Sequence, residues 1–209
     1  MRSHLKDLAE LNLYQAKKYG LKNVDINKDA FKNLTKLLSL DLSNNRLTYI
    51  PGNLPPSLTT IRLNNNSILV LNQNSFSGIR NVKNLFLQRN CYLGNNCSKQ
   101  LNISDNTFAV LTKLEFLAIS FNNLRHVPKG LPKTLIILSL SDNQIYYISE
   151  EDFKELHYLN VLSIHGNGQR CENAAYPFVP CPNISLGIHT KALTNLNQLK
   201  TLHLASNSL

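Results

Sequence analysis

At 209 residues the chain is long enough to bury a substantial core in one domain or to form one stretch of an elongated array. Its 43% hydrophobic and 17% charged residues exclude an intrinsically disordered chain, and no apolar run reaches the roughly 18 residues a membrane-spanning helix needs. The formal net charge of +9 favours polyanionic partners, although Lys and Arg are scattered as on an ordinary solvated surface rather than gathered into one basic run.

Residues 1–20 hold no signal-peptide apolar segment, and a repeating pattern LxxLxLxxNxL begins at Leu8. Further copies begin at Leu37, Leu58, Val82, Leu114, Leu135, Leu159 and Leu199, so that short, medium and long spacings follow one another twice in the same order. The clearest copies are LLSLDLSNNRL (37–47), LEFLAISFNNL (114–124) and LIILSLSDNQI (135–145), with Asn45, Asn122 and Asn143 in the Asn slot. This periodicity predicts a leucine-rich-repeat solenoid. The expected fold is an α/β horseshoe with a parallel sheet on the concave face and irregular loops and short helices on the convex face. Residues 1–209 are expected to form a single array of about eight repeats with insertions at about 91–105 and 168–195.

Each residue type in the pattern has a physical role. Alternating leucines suit a short strand, whose apolar residues point inward while those between them face the open side. The buried Asn can bond backbone groups of neighbouring turns that would otherwise be unpaired inside the coil. One copy cannot bury a core alone, but a stack can.

The connecting segments come in two kinds. Longer copies carry a Phe before the next leucine, in DAFKNL (29–34), NSFSGI (74–79), NTFAVL (106–111) and EDFKEL (151–156), and these rings are expected to fill the convex side of the core. Short copies carry IPGNLPPSL (50–58) and VPKGLPKTL (127–135), where paired prolines suit an extended connector without helix.

Both long spacings hold cysteines, Cys91 and Cys97 in one and Cys171 and Cys181 in the other, each following an Asn slot. Bridges closing two insertions suit an oxidising compartment. Neither pair has CxxC spacing, so no metal site is expected, and no cofactor either. Glycosylation acceptors stand at Asn33, Asn65, Asn96, Asn102 and Asn183.

The third, fifth, seventh and eighth positions of each copy are expected on the concave face or its edge. Arg62, Phe86, Gln88, Arg89 and Phe116 then fall on three adjacent strands, offering cations for phosphates beside an aromatic platform for a base. Phe121 reads as a packing residue. His165 and His203 are expected in equivalent concave slots of the last two copies, where falling pH would add positive charge. A glycan on Asn65 would sit near Arg62.

NCYLGNNC, the run YISEEDFKELHYLNVLSIHGN (147–167) and RCENAAYPFVPCP (170–182) together resemble the amino-terminal ectodomain of the nucleic-acid-sensing Toll-like receptors seven, eight and nine, most closely seven and eight, over essentially residues 8–209. The resemblance implies an ectodomain in the endosomal lumen or outside the cell that recognises single-stranded RNA or nucleoside-type degradation products and dimerises with another receptor chain to signal through a TIR domain. The family usually has four cysteines where Cys171 and Cys181 lie. Gly168 and Phe178 stand in place of the other two, so Cys171 and Cys181 either pair with each other or stay free. The chain as given includes no terminal caps, membrane span or TIR domain and makes no membrane contact of its own, which suggests a piece of an ectodomain or a shortened relative. The alternative function is a protein-binding leucine-rich-repeat module or soluble decoy receptor. An enzyme is not expected, because no nucleophile–base set, phosphate-cradling Gly loop or metal-ligand spacing is present.

Overall fold

Eight three-residue strands stack side by side, one from each copy of the pattern and always from its third to fifth positions. In the computed structural model, residues 4–15, 26–92, 97, 100–167 and 185–207 are described. The strands in chain order are β1 (Glu10–Asn12), β2 (Ser39–Asp41), β3 (Thr60–Arg62), β4 (Val70–Leu71), β5 (Asn84–Phe86), β6 (Asn102–Ile103), β7 (Phe116–Ala118), β8 (Ile137–Ser139), β9 (Tyr147–Ile148), β10 (Val161–Ser163), β11 (Gly187–Ile188) and β12 (Thr201–His203). The main sheet runs β1-β2-β3-β5-β7-β8-β10-β12, all parallel.

Register places the middle residue of every strand in one column: Leu11, Leu40, Ile61, Leu85, Leu117, Leu138, Leu162 and Leu202. From Leu40 to Leu162 these side chains are fully buried, while the residues on either side of them face the groove half-exposed or are small. Burying each such aliphatic group contributes about 1.5–3 kcal/mol, which a single copy could not realise without its neighbours.

The Asn slot forms a continuous ladder. Asn122 donates through Nδ2 to the carbonyls of Leu87 and Ile119, each at 2.9 Å, and its Oδ1 accepts from the N–H groups of Asn90 (2.8 Å) and Cys91 (3.1 Å). Asn66, Asn90, Asn143 and Asn167 repeat this arrangement, each bridging its own turn to the preceding one. The residue before each ladder Asn takes a left-handed conformation: Asn44, Asn65, Arg89, Phe121, Asp142, Gly166 and Ser206 all have φ between 52° and 69°. That slot turns the chain out of the sheet and aims its side chain along the groove edge.

On the convex side Phe31, Phe76, Phe108 and Phe153 are buried, and Phe76 and Phe108 stack at 5.8 Å between ring centroids. The convex layer differs from the expected irregular loops and short helices in one respect. It carries two short parallel pairs, β4 with β6 and β9 with β11, and the helical turn among the described residues is the 3-10 segment His4–Asp7. Each pair joins two of the longer copies, where the extra length lets the chain run straight for two residues.

Candidate nucleic-acid interface

Phe86 and Phe116 lie on neighbouring strands without being direct register partners. Phe86 stands opposite Ala118, and Phe116 stands opposite Asn84. The small side chain of Ala118 leaves room for the Phe86 ring to lean across the diagonal, and the two rings meet at 4.8 Å between centroids with planes 34° apart. Arg62, the register partner of Phe86 on the other side, places its guanidinium carbon 5.0 Å from the Phe86 centroid and its Nη1 3.4 Å from Ser39 Oγ. A cation and two rings therefore form one row across β3, β5 and β7.

The remaining expected residues separate from that row. Arg89 occupies the left-handed slot, is exposed, and lies 4.7 Å over the ring of Phe121, which holds the same slot in the next copy. Phe121, read from sequence as packing, is half-buried and completes a second cation–aromatic pair along the groove edge. The signal that could have found it was positional, since residues in the eighth slot of adjacent copies must neighbour one another. Gln88 is half-buried beside them. Its N–H donates to Asn64 Oδ1 at 2.8 Å, and its Oε1 is buried without a hydrogen-bond partner among the described residues.

An open polar trough follows these eighth-slot turns from Tyr14 through Asn65, Gln88, Arg89 and Phe121 to Asp142 and His165. Its floor is knitted by hydroxyls, with Ser120 Oγ 2.8 Å from Ser139 Oγ and Ser141 Oγ 2.9 Å from His165 Nδ1. The ring of His165 is held on its other edge by Asp142, with Nε2 3.4 Å from Oδ2.

His165 and His203 are not in equivalent slots. Register pairs His203 with Ser163, so His165 lies two residues beyond the end of β10 and the rings meet edge-on at 6.5 Å between centroids. The physical reason is the pattern itself: His203 fills a fifth position and His165 a seventh. His203 is exposed, whereas His165 is half-buried against Ser141 and Asp142.

Cys91 and Cys97 form a disulfide that closes the first insertion, and Cys91 is fully buried. Next to it, the Tyr92 hydroxyl lies 3.3 Å from Asn65 Oδ1, so the insertion touches the trough rim. Asn65 also hydrogen-bonds Asn44 through its Nδ2. Among the acceptor sites, Asn33 and Asn102 are exposed and Asn65 is half-buried in the trough. Cys171, Cys181, Asn96 and Asn183 lie outside the described residues. No helix among the described residues is long and apolar enough to cross a membrane.

Residues 36–56 match the Leucine Rich Repeat family. The chain is 47% identical to Toll-like receptor 8 of Homo sapiens over 187 residues, 89% of the chain and 18% of that protein. It is 39% identical to Toll-like receptor 7 of Mus musculus over 164 residues, 78% of the chain and 16% of that protein. It is 34% identical to Toll-like receptor 9 of Mus musculus over 213 residues, 99% of the chain and 20% of that protein. The chain thus spans about a fifth of the length of the curated relatives it matches.

Proposed function

Because the chain belongs to the Toll-like receptor family, as a leucine-rich-repeat ectodomain segment of the kind found in receptors seven, eight and nine, we propose that its concave face binds single-stranded RNA or nucleoside-type RNA fragments within the endosomal lumen. The relatives are receptors, and the chain is a receptor segment rather than an enzyme. Innate immune recognition is the work of this family. The ligand, the compartment and association with another receptor chain are our reading for this protein.

The observation that carries the reading is the row Arg62, Phe86 and Phe116 beside the pair Arg89 and Phe121. Two guanidinium groups held against rings suit a sugar–phosphate backbone with unstacked bases, because the cation meets phosphate while an adjacent ring face receives a base. Asn and Ser side chains along the trough add neutral donors and acceptors for base edges. The test is binding of a labelled single-stranded RNA oligomer to the secreted, glycosylated chain at about pH 5.5 and about pH 7.4 across a salt series. Salt-sensitive binding that weakens with Arg62→Ala and Arg89→Ala is expected. A folded chain that binds no RNA at either pH would overturn the reading in favour of a protein-binding module.

A further inference from the structure

The convex layer has a gap the width of one strand. β4 pairs with β6 and β9 with β11, and the short copy beginning at Leu114 stands between β6 and β9. In the place where a longer copy has its convex strand, this copy has His126 and Val127 followed by Pro128. Val127 and Pro128 are buried, so the backbone recedes toward the core, and Pro128 has no N–H to offer a neighbour. Among the described residues, neither His126 nor Val127 forms a backbone hydrogen bond with β6 or β9. The copies meet on either side of the gap, before it through the Leu101 N–H to the Asn122 carbonyl at 3.0 Å and the Gln144 N–H to the Leu124 carbonyl at 2.8 Å, and beyond it through the Asn106 N–H to the Lys129 carbonyl at 3.2 Å.

Backbone direction on the two flanks follows from the bonds already made. The N–H groups of Asn102 and Ser104 donate to the carbonyls of Leu69 and Leu71, each at 2.9 Å. In an extended strand the residue between must point its N–H and C=O the opposite way, so those of Ile103 face the gap. On the other flank the N–H groups of Gly187 and His189 donate to the carbonyls of Tyr146 and Ile148, each at 2.9 Å, which turns the backbone groups of Tyr147 back toward the gap. Two parallel strand edges therefore face each other across a cleft that both of them line. Arg125 and His126 lie toward the end where the flanking strands begin, and Asp105 and Asp152 lie where they finish, with Lys129 beside Asp105. Asp152 is already engaged, accepting the Ser149 N–H at 2.7 Å.

We infer that this cleft is a docking site for an extended peptide of a protein partner, which enters parallel to β6 and β9, bonds Ile103 on one side and Tyr147 on the other, and carries a carboxylate near its amino end over Arg125 and His126. One N–H and one C=O on each flank, aimed across the cleft from two parallel strands, match a peptide backbone. The exposed Tyr147 supplies an apolar wall for a partner side chain. The site lies on the opposite face from the RNA row and stands whether or not the chain binds RNA.

The test uses a short fluorescein-labelled peptide of alternating Val and Thr with Glu near its amino end, and a copy methylated on alternate backbone nitrogens. Both are titrated against the glycosylated chain and against Asn102→Gln, since Asn102 borders the cleft. Saturable binding of the first peptide by either form is expected, weakened about tenfold by backbone methylation and by Arg125→Glu, with slowed amide exchange at Ile103 and Tyr147. Binding by Asn102→Gln alone would support the cleft and identify the glycan as its cover. No binding by either form, equal binding of the methylated copy, or binding without protection at Ile103 and Tyr147 would overturn the proposal. Because Arg125 is exposed, its replacement leaves the core intact, and an unchanged unfolding transition verifies this.

Discussion

Arg89 lies 4.7 Å over the ring of Phe121, and both residues occupy the left-handed turn that precedes a ladder asparagine, with φ of 57° each. The backbone rather than side-chain packing brings them together. Two residue types that this conformation disfavours are held in it by the hydrogen-bonded ladder on either side, as the Arg89 N–H bond to the Ser120 carbonyl at 3.1 Å illustrates. The result is a cation and a ring displayed at the groove edge.

Replacing Phe121 separates packing from display. Asn fills the same slot at Asn44 and Asn65, and it tolerates positive φ better than Phe. Phe121→Asn relieves about 1 kcal/mol of backbone strain and loses a similar amount of half-buried ring contact, so unfolding in urea should shift by less than about 1 kcal/mol. RNA affinity should nonetheless drop. A destabilisation of the size expected for a core truncation, about 3 kcal/mol or more, would return the ring to a packing role.

The two cation–aromatic groups predict different salt behaviour for their members. Arg62→Ala and Arg89→Ala should each lower the slope of log affinity against log salt by about 0.7, the value for one single-stranded phosphate contact. Phe86→Ala should leave the slope unchanged while weakening binding by about 1–3 kcal/mol at every salt concentration, as loss of a stacked base requires. Fluorescence anisotropy titrations resolve both quantities, and an unchanged slope in both arginine variants would remove them from the interface.

The stack itself should fail at its ladder. Asn122→Ala removes five hydrogen bonds inside the coil: its amide no longer donates to the carbonyls of Leu87, Ile119 and Ser120, which keep Asn90 Nδ2, Asn143 Nδ2 and the Arg89 N–H, and its oxygen no longer accepts from the N–H groups of Asn90 and Cys91. Each lost buried hydrogen bond contributes about 0.5–1.5 kcal/mol, so a loss of about 3–5 kcal/mol is expected for the set. Gln144→Ala, at an exposed position of the next copy, should stay within about 0.5 kcal/mol. Equal unfolding midpoints for the two variants would contradict the ladder's role.

The concave strands were fully legible in the sequence, because a fixed side-chain alternation around one buried leucine admits only one register. Asn45, Asn122 and Asn143 were legible for the same reason. Three things were not. The pairing of Arg89 with Phe121 follows from their shared eighth slot in adjacent copies, but the display of that slot's side chain at the groove edge depends on a positive φ, and without it Phe121 reads as packing. The offset between His165 and His203 was overlooked because both face the groove, although counting positions within each copy separates a fifth from a seventh. The short convex pairs β4–β6 and β9–β11 involve two residues each, such as Tyr147 and Ile148, too few to show an alternation.

Three carboxylates should titrate below their ordinary range for different reasons. The ammonium of Lys36 lowers Asp7, first by hydrogen bonding and then by charge, and Lys133 lowers Glu155 in the same way. Asp29 is lowered first by the amide of Asn53, 2.8 Å away, and then by Lys32. Side-chain NMR titration should show the midpoints of Asp7 and Glu155 rising toward ordinary values in high salt, with Asp29 less affected because its leading partner is neutral. A folded value below the unfolded one means that any linked stability is complete above the ordinary carboxylate range and fades only as pH falls through the lowered midpoints. Stability should therefore show no loss from these groups between about pH 7.4 and about pH 5.5.

Among the groove residues, two histidines bear on any acid response in binding, and they meet edge-on at 6.5 Å. His165 faces Asp142 at 3.4 Å, so a proton on its ring is partly offset by a carboxylate already in the trough. His203 is exposed on β12, and its ring meets only the edge of His165 among the aromatic neighbours described, so a proton there adds charge that a phosphate can reach. RNA affinity should rise between about pH 7.4 and about pH 5.5, and His203→Ala should remove more of the rise than His165→Ala. Asp142→Asn should raise RNA affinity at both pH values by removing a carboxylate from the trough. If both histidine variants keep the full rise, the acid response lies elsewhere; if His165→Ala removes more of it than His203→Ala, the pair with Asp142 acts by orienting the ring rather than by neutralising it.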